Sequence, residues 1–146
     1  MATEPSELWR EERLFIGGEL VPAKSGATYE NVNPATGEVI GVAADAGVED
    51  MDAAIESARV AFDTTDWSTD LELRIRCLRQ LQESLQKHAE ELRATTVAEV
   101  GAPIALTFGP HLDTPVEGIG WVADLAESYQ WTEDLGIVES FGVKSQ

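Results

Sequence analysis

At 146 residues, with 27 acidic against 10 basic side chains and a formal net charge of −17, the chain is sized for one domain and strongly anionic. That charge excludes nucleic acid and an anionic membrane surface as partners, because both present the same sign. No run approaches the ~18–20 apolar residues of a spanning helix. MATEPSELWREERLF lacks the basic-then-apolar order of a secretory leader, and the lone Cys77 suits a reducing, cytoplasmic setting. On size alone, a chain this long can bury about 68–70% of its unfolded surface, enough for one core.

In chain order, residues 1–13 are polar and read as a loose arm or a short helix. LFIGGELV follows, with Leu14–Ile16 and Glu19–Val21 flanking Gly17-Gly18. Two extended runs about a Gly-Gly pair predict a tight hairpin, since both turn positions must reach positive φ. After a loop over 22–26, Thr28, Tyr29 and Val32 pair with Val39, Ile40 and Val42 across the turn chemistry of NPATG (33–37).

The remainder reads as helix. From Val48, with Gly47 as N-cap, Met51, Ile55, Ala58 and Phe62 form one stripe, and Glu49, Asp50 and Asp52 favour the positive end of the dipole. Ser68 or Thr69 can cap the next helix, in which Leu71, Ile75, Leu78 and Leu85 form a stripe completed by Leu81 or Gln82. A break is expected near Lys87-His88, then helix continues to a stop at Gly101 and Pro103. Thr114-Pro115-Val116-Glu117 predicts a capped start, with a reciprocal bond between Thr114 and Glu117 and Pro115 at the first helical position. Val116, Ile119, Ala123, Ala126 and Tyr129 then make an apolar face ending near Trp131. Gly109-Pro110 breaks anything begun at Pro103. Residues 133–146 look extended, with GIVESFGV an edge strand cut short.

From Ala94 to Val143 there is no Lys or Arg, against eight acids: Glu99, Asp113, Glu117, Asp124, Glu127, Glu133, Asp134 and Glu139. Such a stretch is either a solvated acidic face or a region whose balancing partners lie elsewhere.

The reactive inventory is thin. Cys77 sits mid-helix in RIRCLRQL, where packing explains it better than a thiolate role, despite Arg74, Arg76 and Arg79. His88 reads as a solvated or capping residue and His111 as a loop residue; two histidines so far apart, without clustered cysteines, make no zinc site. Neither a phosphate-cradling glycine motif nor a nucleophile elbow is present; Gly118-Ile119-Gly120 lies in a helix signal and lacks the third glycine.

The order of segments nevertheless resembles one family. F-I-G-G-E, S-G, N-P-A-T-G-E-V-I, a D-x-D-A-A helix ending in A-R-V-A-F, Trp67-Ser68, the helix LRIRCLRQLQESLQKHAEEL, E-x-G-x-P at Glu99–Pro103 and LAESYQWTEDLG are together similar to the N-terminal part of the NAD(P)-dependent aldehyde dehydrogenase superfamily, over about residues 12–146. The resemblance implies an α/β fold. In it, 1–13 is a polar arm, and 14–136, two β-hairpins followed by several helices, is the N-terminal part of the cofactor-binding domain. Residues 137–146 are then the truncated start of an oligomerisation strand. It further implies that Thr114, Gly118 and Trp121 line the substrate entrance. A structural monovalent cation is implied at the Val32 carbonyl and the Glu99 carboxylate.

The family's later motifs are absent: the P-W-N-F-P element whose asparagine stabilises the developing oxyanion, the NAD-binding loop, the glutamate base and the G-x-C nucleophile. No catalytic and no cofactor-binding residue is therefore named, and the 146-residue chain alone is expected to be inactive, with no tight NAD or NADP binding of its own. The complete enzyme would oxidise an aldehyde with NAD or NADP. Its partners would be that small-molecule substrate and the rest of the aldehyde dehydrogenase chain or like subunits. The alternative is a non-catalytic module docking on a complementary or full-length relative. A plain folded domain whose function has been lost is the third reading.

Overall fold

The computed structural model describes residues 9–134, 138–140 and 143–145, with side chains described over 10–134. It is a mixed α/β arrangement. β1 (Trp9–Glu11), β5 (Val39–Ala44) and β4 (Thr28–Val32) form a three-stranded sheet in that order, β1 parallel and β4 antiparallel to β5. β2 (Arg13–Ile16) and β3 (Glu19–Pro22) make a separate hairpin. Gly17 and Gly18 turn it at φ of 66° and 85°, a conformation that side chains with a Cβ disfavour. Both expected hairpins form. The arm does not stay loose or turn helical where it is described: Trp9–Glu11 is a strand, because β5 offers a parallel edge. Residues 1–8 lie outside the described residues.

Five helices follow: α1 (Val48–Thr64), α2 (Leu71–Lys87), α3 (Ala89–Val100), α4 (Ile104–Thr107) and α5 (Asp113–Ser128). Gly47 caps α1, and the buried Asp50 carboxylate accepts from the Gly47 and Lys24 backbone N–H groups, both at 2.9 Å, tying the loop after β3 to the helix start. The α2 cap is Asp70, whose Oδ1 accepts from Leu73 N–H at 2.9 Å. Ser68 and Thr69, the expected caps, instead belong to or close a 3-10 turn at Asp66–Ser68. Gln82 rather than Leu81 completes the inner stripe of α2; Leu81 is exposed. The break at Lys87-His88 and the stop at Gly101 stand as expected, Gly101 in the left-handed region at φ 66°.

The predicted cap at Thr114 is overturned. α5 begins two residues earlier, behind Leu112, and the Thr114 N–H donates to Gly109 O at 2.9 Å. The Asp113 carboxylate is drawn to Arg93 of α3, and that tertiary bond displaces the local capping box. α5 ends at Ser128, short of Trp131, whose indole N–H folds back to Ala126 O at 3.1 Å.

The core is small. Ala23, Ile75, Ala102, Leu112, Val116 and Ala123 are the buried apolar side chains among the described residues. α2 packs on α5, where Gly120 permits close approach: a Cβ there would lie 2.9 Å from the Gln82 amide. The α1 stripe is not a buried face here; Met51, Ile55 and Phe62 are exposed, and the main contacts of α1 among the described residues are with β2 and the 3-10 turn. Near the C-terminus, β6 (Val138–Ser140) and β7 (Val143–Ser145) pair with each other as an antiparallel hairpin, in place of the single edge strand expected. Ile137, Phe141 and Gly142 of that expected strand lie outside the described residues.

Candidate functional site

Two regions gather the residues singled out by sequence. The first is α5. Thr114, Gly118 and Trp121 are spaced four and three residues apart, so they share one side of the helix; Thr114 and Trp121 are exposed and Gly118 half-buried. The opposite side, carrying Val116, Gly120 and Ala123, is buried against α2.

Two α2 side chains fasten that contact through polar groups. Gln82 Nε2 donates to the Val116 and Glu117 carbonyls at 3.1 and 3.3 Å. Arg79 donates to Gly120 O at 3.3 Å and to the carboxylates of Asp124 and Glu127. Those hydrogen bonds, Asp124 first, raise the Arg79 guanidinium above its ordinary value.

A third fastening comes from α3. Arg93 is buried, and its guanidinium donates to Thr107 Oγ1 and Asp113 Oδ1, both at 3.0 Å, and to Glu90 Oε1 at 3.3 Å. It also stacks 3.9 Å from the Phe108 ring centroid. Burial opposes the charge, but the bonds to Asp113 and Glu90 outweigh it, and the group sits above its ordinary value. Sequence reading missed this cluster; the only local signal was Glu90 three residues before Arg93. Arg79 and Arg93 also show where acids of the basic-free stretch find partners: Asp113, Asp124 and Glu127 are paired by α2 and α3 of the same chain.

The second region joins the NPATG turn to the end of α3. Asn31 Nδ2 donates to Glu99 Oε1 at 2.5 Å, across 68 residues of sequence. Val32 is the next residue, and the ladder between β4 and β5 shifts register between Asn31 and Val32. Pro34 packs so close to Gly101 that a Cβ there would stand 2.9 Å from its Cγ. Asn31, Val42, Ala43, Ala94, Thr95 and Glu99 help line a cleft of about 610 Å³ between sheet and helix. Asn31, the chain neighbour of Val32, is thus the residue that bonds to Glu99. Among the described residues no group of three or more His, Cys, Asp and Glu could hold a metal.

Cys77 is half-buried on α2, and His88 is exposed at the α2–α3 corner with Nδ1 3.3 Å from Glu91 Oε2. β5 leads through Gly47 into α1, where the Asp50 carboxylate accepts from the Gly47 N–H. Gly118 and Gly120 lie within α5 rather than ahead of it. No helix among the described residues is long and apolar enough to cross a membrane.

Comparison with known proteins places these elements. Residues 20–140 match the model of the aldehyde dehydrogenase family. The chain is 34% identical over 113 residues to the putative aldehyde dehydrogenase DhaS of Bacillus subtilis (strain 168), covering 77% of this chain and 23% of that protein. The crystal structure of a Mycobacterium tuberculosis aldehyde dehydrogenase complexed with NAD+ superposes with a TM-score of 0.81 at 29% identity, over 87% of this chain and 26% of that one. A Pseudomonas syringae aldehyde dehydrogenase C variant complexed with NAD+ and octanal gives 0.79 at 28%, over 86% and 26%. The chain therefore spans about a quarter of the length of the relatives it matches. With the hairpins, the NPATG turn and the helices in their order, it belongs to the aldehyde dehydrogenase family.

Proposed function

We propose that the chain works as the N-terminal part of an aldehyde dehydrogenase that oxidises an aldehyde with NAD or NADP, and has no dehydrogenase activity alone. The observation that carries this is the family match over residues 20–140 at a quarter of the relatives' length. NAD+ accompanies both solved relatives named above and octanal one of them, which favours an aldehyde of that kind as substrate. The test is a dehydrogenase assay on the purified 146-residue chain with aldehydes and NAD+. No turnover is expected; measurable turnover overturns the reading.

On this reading the exposed side of α5 lines the substrate entrance, where Thr114 and Gly118 leave room and Trp121 supplies an apolar wall. Val32 and Glu99 hold a structural monovalent cation through oxygen donors, supported by the Asn31–Glu99 bond and the ladder irregularity beside Val32. Thermal stability should then rise in potassium or sodium relative to choline chloride, and Glu99→Gln should abolish the difference. An equal response in the variant refutes the cation site.

A second reading has its own observation. The apolar face of α1, with Met51, Ile55 and Phe62 exposed, is a ready docking surface for the rest of such a fold or a like subunit. Mixing with the complementary part of an aldehyde dehydrogenase should shift size-exclusion elution; no shift and no gain of activity would sink the docking reading.

A further inference from the structure

We propose that Arg93 is a positioning residue, fixing where α5 begins and hence where Thr114, Gly118 and Trp121 stand; the second half rests on the entrance reading above. Locally, no side-chain cap sets this start, which is marked only by backbone bonds to the Gly109 and Leu112 carbonyls. Leu112 occupies the N-cap without a side-chain cap, Thr114 does not cap, and Gly109-Pro110 precede it. The directional information comes from across the fold. One planar guanidinium reaches Thr107 at the end of α4 and Asp113 at the start of α5, and stacks on Phe108 between them.

Thr107 is itself wholly buried and its hydroxyl donates to Ile104 O at 2.6 Å, so the Arg93 bond lands on a fixed acceptor. Asp113 contributes a carboxylate at the positive end of α5, so its ion pair and the helix dipole act at one atom group. A buried ion pair is weak evidence for stability, since an apolar side chain of similar volume often does as well. What a methionine cannot supply is the fork geometry that holds two backbone segments at a set spacing. A register shift at the start of α5 would turn the Thr114–Gly118–Trp121 side about 100° per residue.

The experiment is amide hydrogen exchange on the 146-residue chain for the wild type, Arg93→Lys, Arg93→Met and Asp113→Asn. All three variants are expected to speed exchange over 107–116 by about tenfold, the factor one lost charged hydrogen bond carries. The β2–β3 hairpin and the NPATG turn should keep wild-type rates. Even acceleration over the whole chain, no acceleration, or wild-type protection retained by Arg93→Met would each overturn the positioning role.

The link to the entrance is read separately, in the assembled dehydrogenase, as the ratio of kcat/KM for a long-chain over a short-chain aldehyde. Arg93→Lys and Trp121→Ala should both shift that ratio several-fold. A shift in Trp121→Ala alone overturns the link from Arg93 to the entrance. If neither shifts while exchange over 107–116 still accelerates, the entrance reading fails and the positioning of α5 stands.

Discussion

Gly101 shows how one residue can be required twice. Its φ of 66° is a conformation that an L side chain enters at a cost of about 1–2 kcal/mol, and a Cβ there would stand 2.9 Å from Pro34 Cγ on a rigid ring. Gly101→Ala should therefore destabilise the chain by about 1–3 kcal/mol, read as a lower urea midpoint at unchanged slope. Asp50 makes a pH prediction. The Gly47 N–H, then the Lys24 N–H, hold its carboxyl below the ordinary 3.8. A depressed carboxylate contributes stability that is present above the unfolded-state value and lost as pH falls through the folded one. The thermal midpoint should thus drop as pH is lowered below about 4, and Asp50→Asn should flatten that part of the profile. An unchanged acid limb in the variant would remove Asp50 from the account. Both residues were visible in the sequence as a helix stop and a first-turn acid. Their partners Pro34 and Lys24 were not, because neither spacing nor period encodes a contact across a loop.

At the scale of elements, the contact between α2 and α5 carries most of the organised core. Gln82 reaches over Gly120 to two α5 carbonyls, so glycine and glutamine form one device. Gly120→Ala should cost about 1 kcal/mol by pushing the flexible Gln82 tip off its acceptors. Gln82→Ala should cost a similar amount, and the double variant clearly less than the two together, since both remove the same bonds. Additive losses would show that Gly120 matters for something other than Gln82. The helical period found the α2 stripe and left Leu81 and Gln82 open. Burial settled it for the polar residue, because the neighbouring helix presents carbonyls there. The start of α5 misled in the opposite way. A well-formed local box at Thr114–Glu117 lost to an Arg93–Asp113 bond between residues twenty apart.

Taken whole, the molecule has six buried apolar side chains among its described residues against twenty-one large exposed ones, more exposed apolar surface than a lone domain usually carries. The size argument promised more, since it assumes that apolar faces meet within the chain, and Met51, Ile55 and Phe62 of the α1 stripe stay exposed. Met51→Glu with Ile55→Glu should change the stability of the isolated chain by no more than about 0.5 kcal/mol per site, as at open surface positions. The same pair should abolish association with the complementary part of an aldehyde dehydrogenase, measured by size-exclusion elution. A large loss of stability in the isolated chain would show that α1 is buried in solution after all.

The sequence by itself determined what depends on near neighbours: both hairpins, the span of α1, the corner at Lys87-His88, the stop at Gly101, and the ordered motifs that mark the family. Turn chemistry, capping and helical period act over a few residues and are written there directly. The tertiary structure decided which acids are paired, where α5 begins, that Trp9–Glu11 joins a sheet, and that Asn31 and Glu99 meet. Each of those depends on groups 14 to 68 positions apart in the chain approaching to hydrogen-bond distance or on a strand edge becoming available, and only the folded path fixes that.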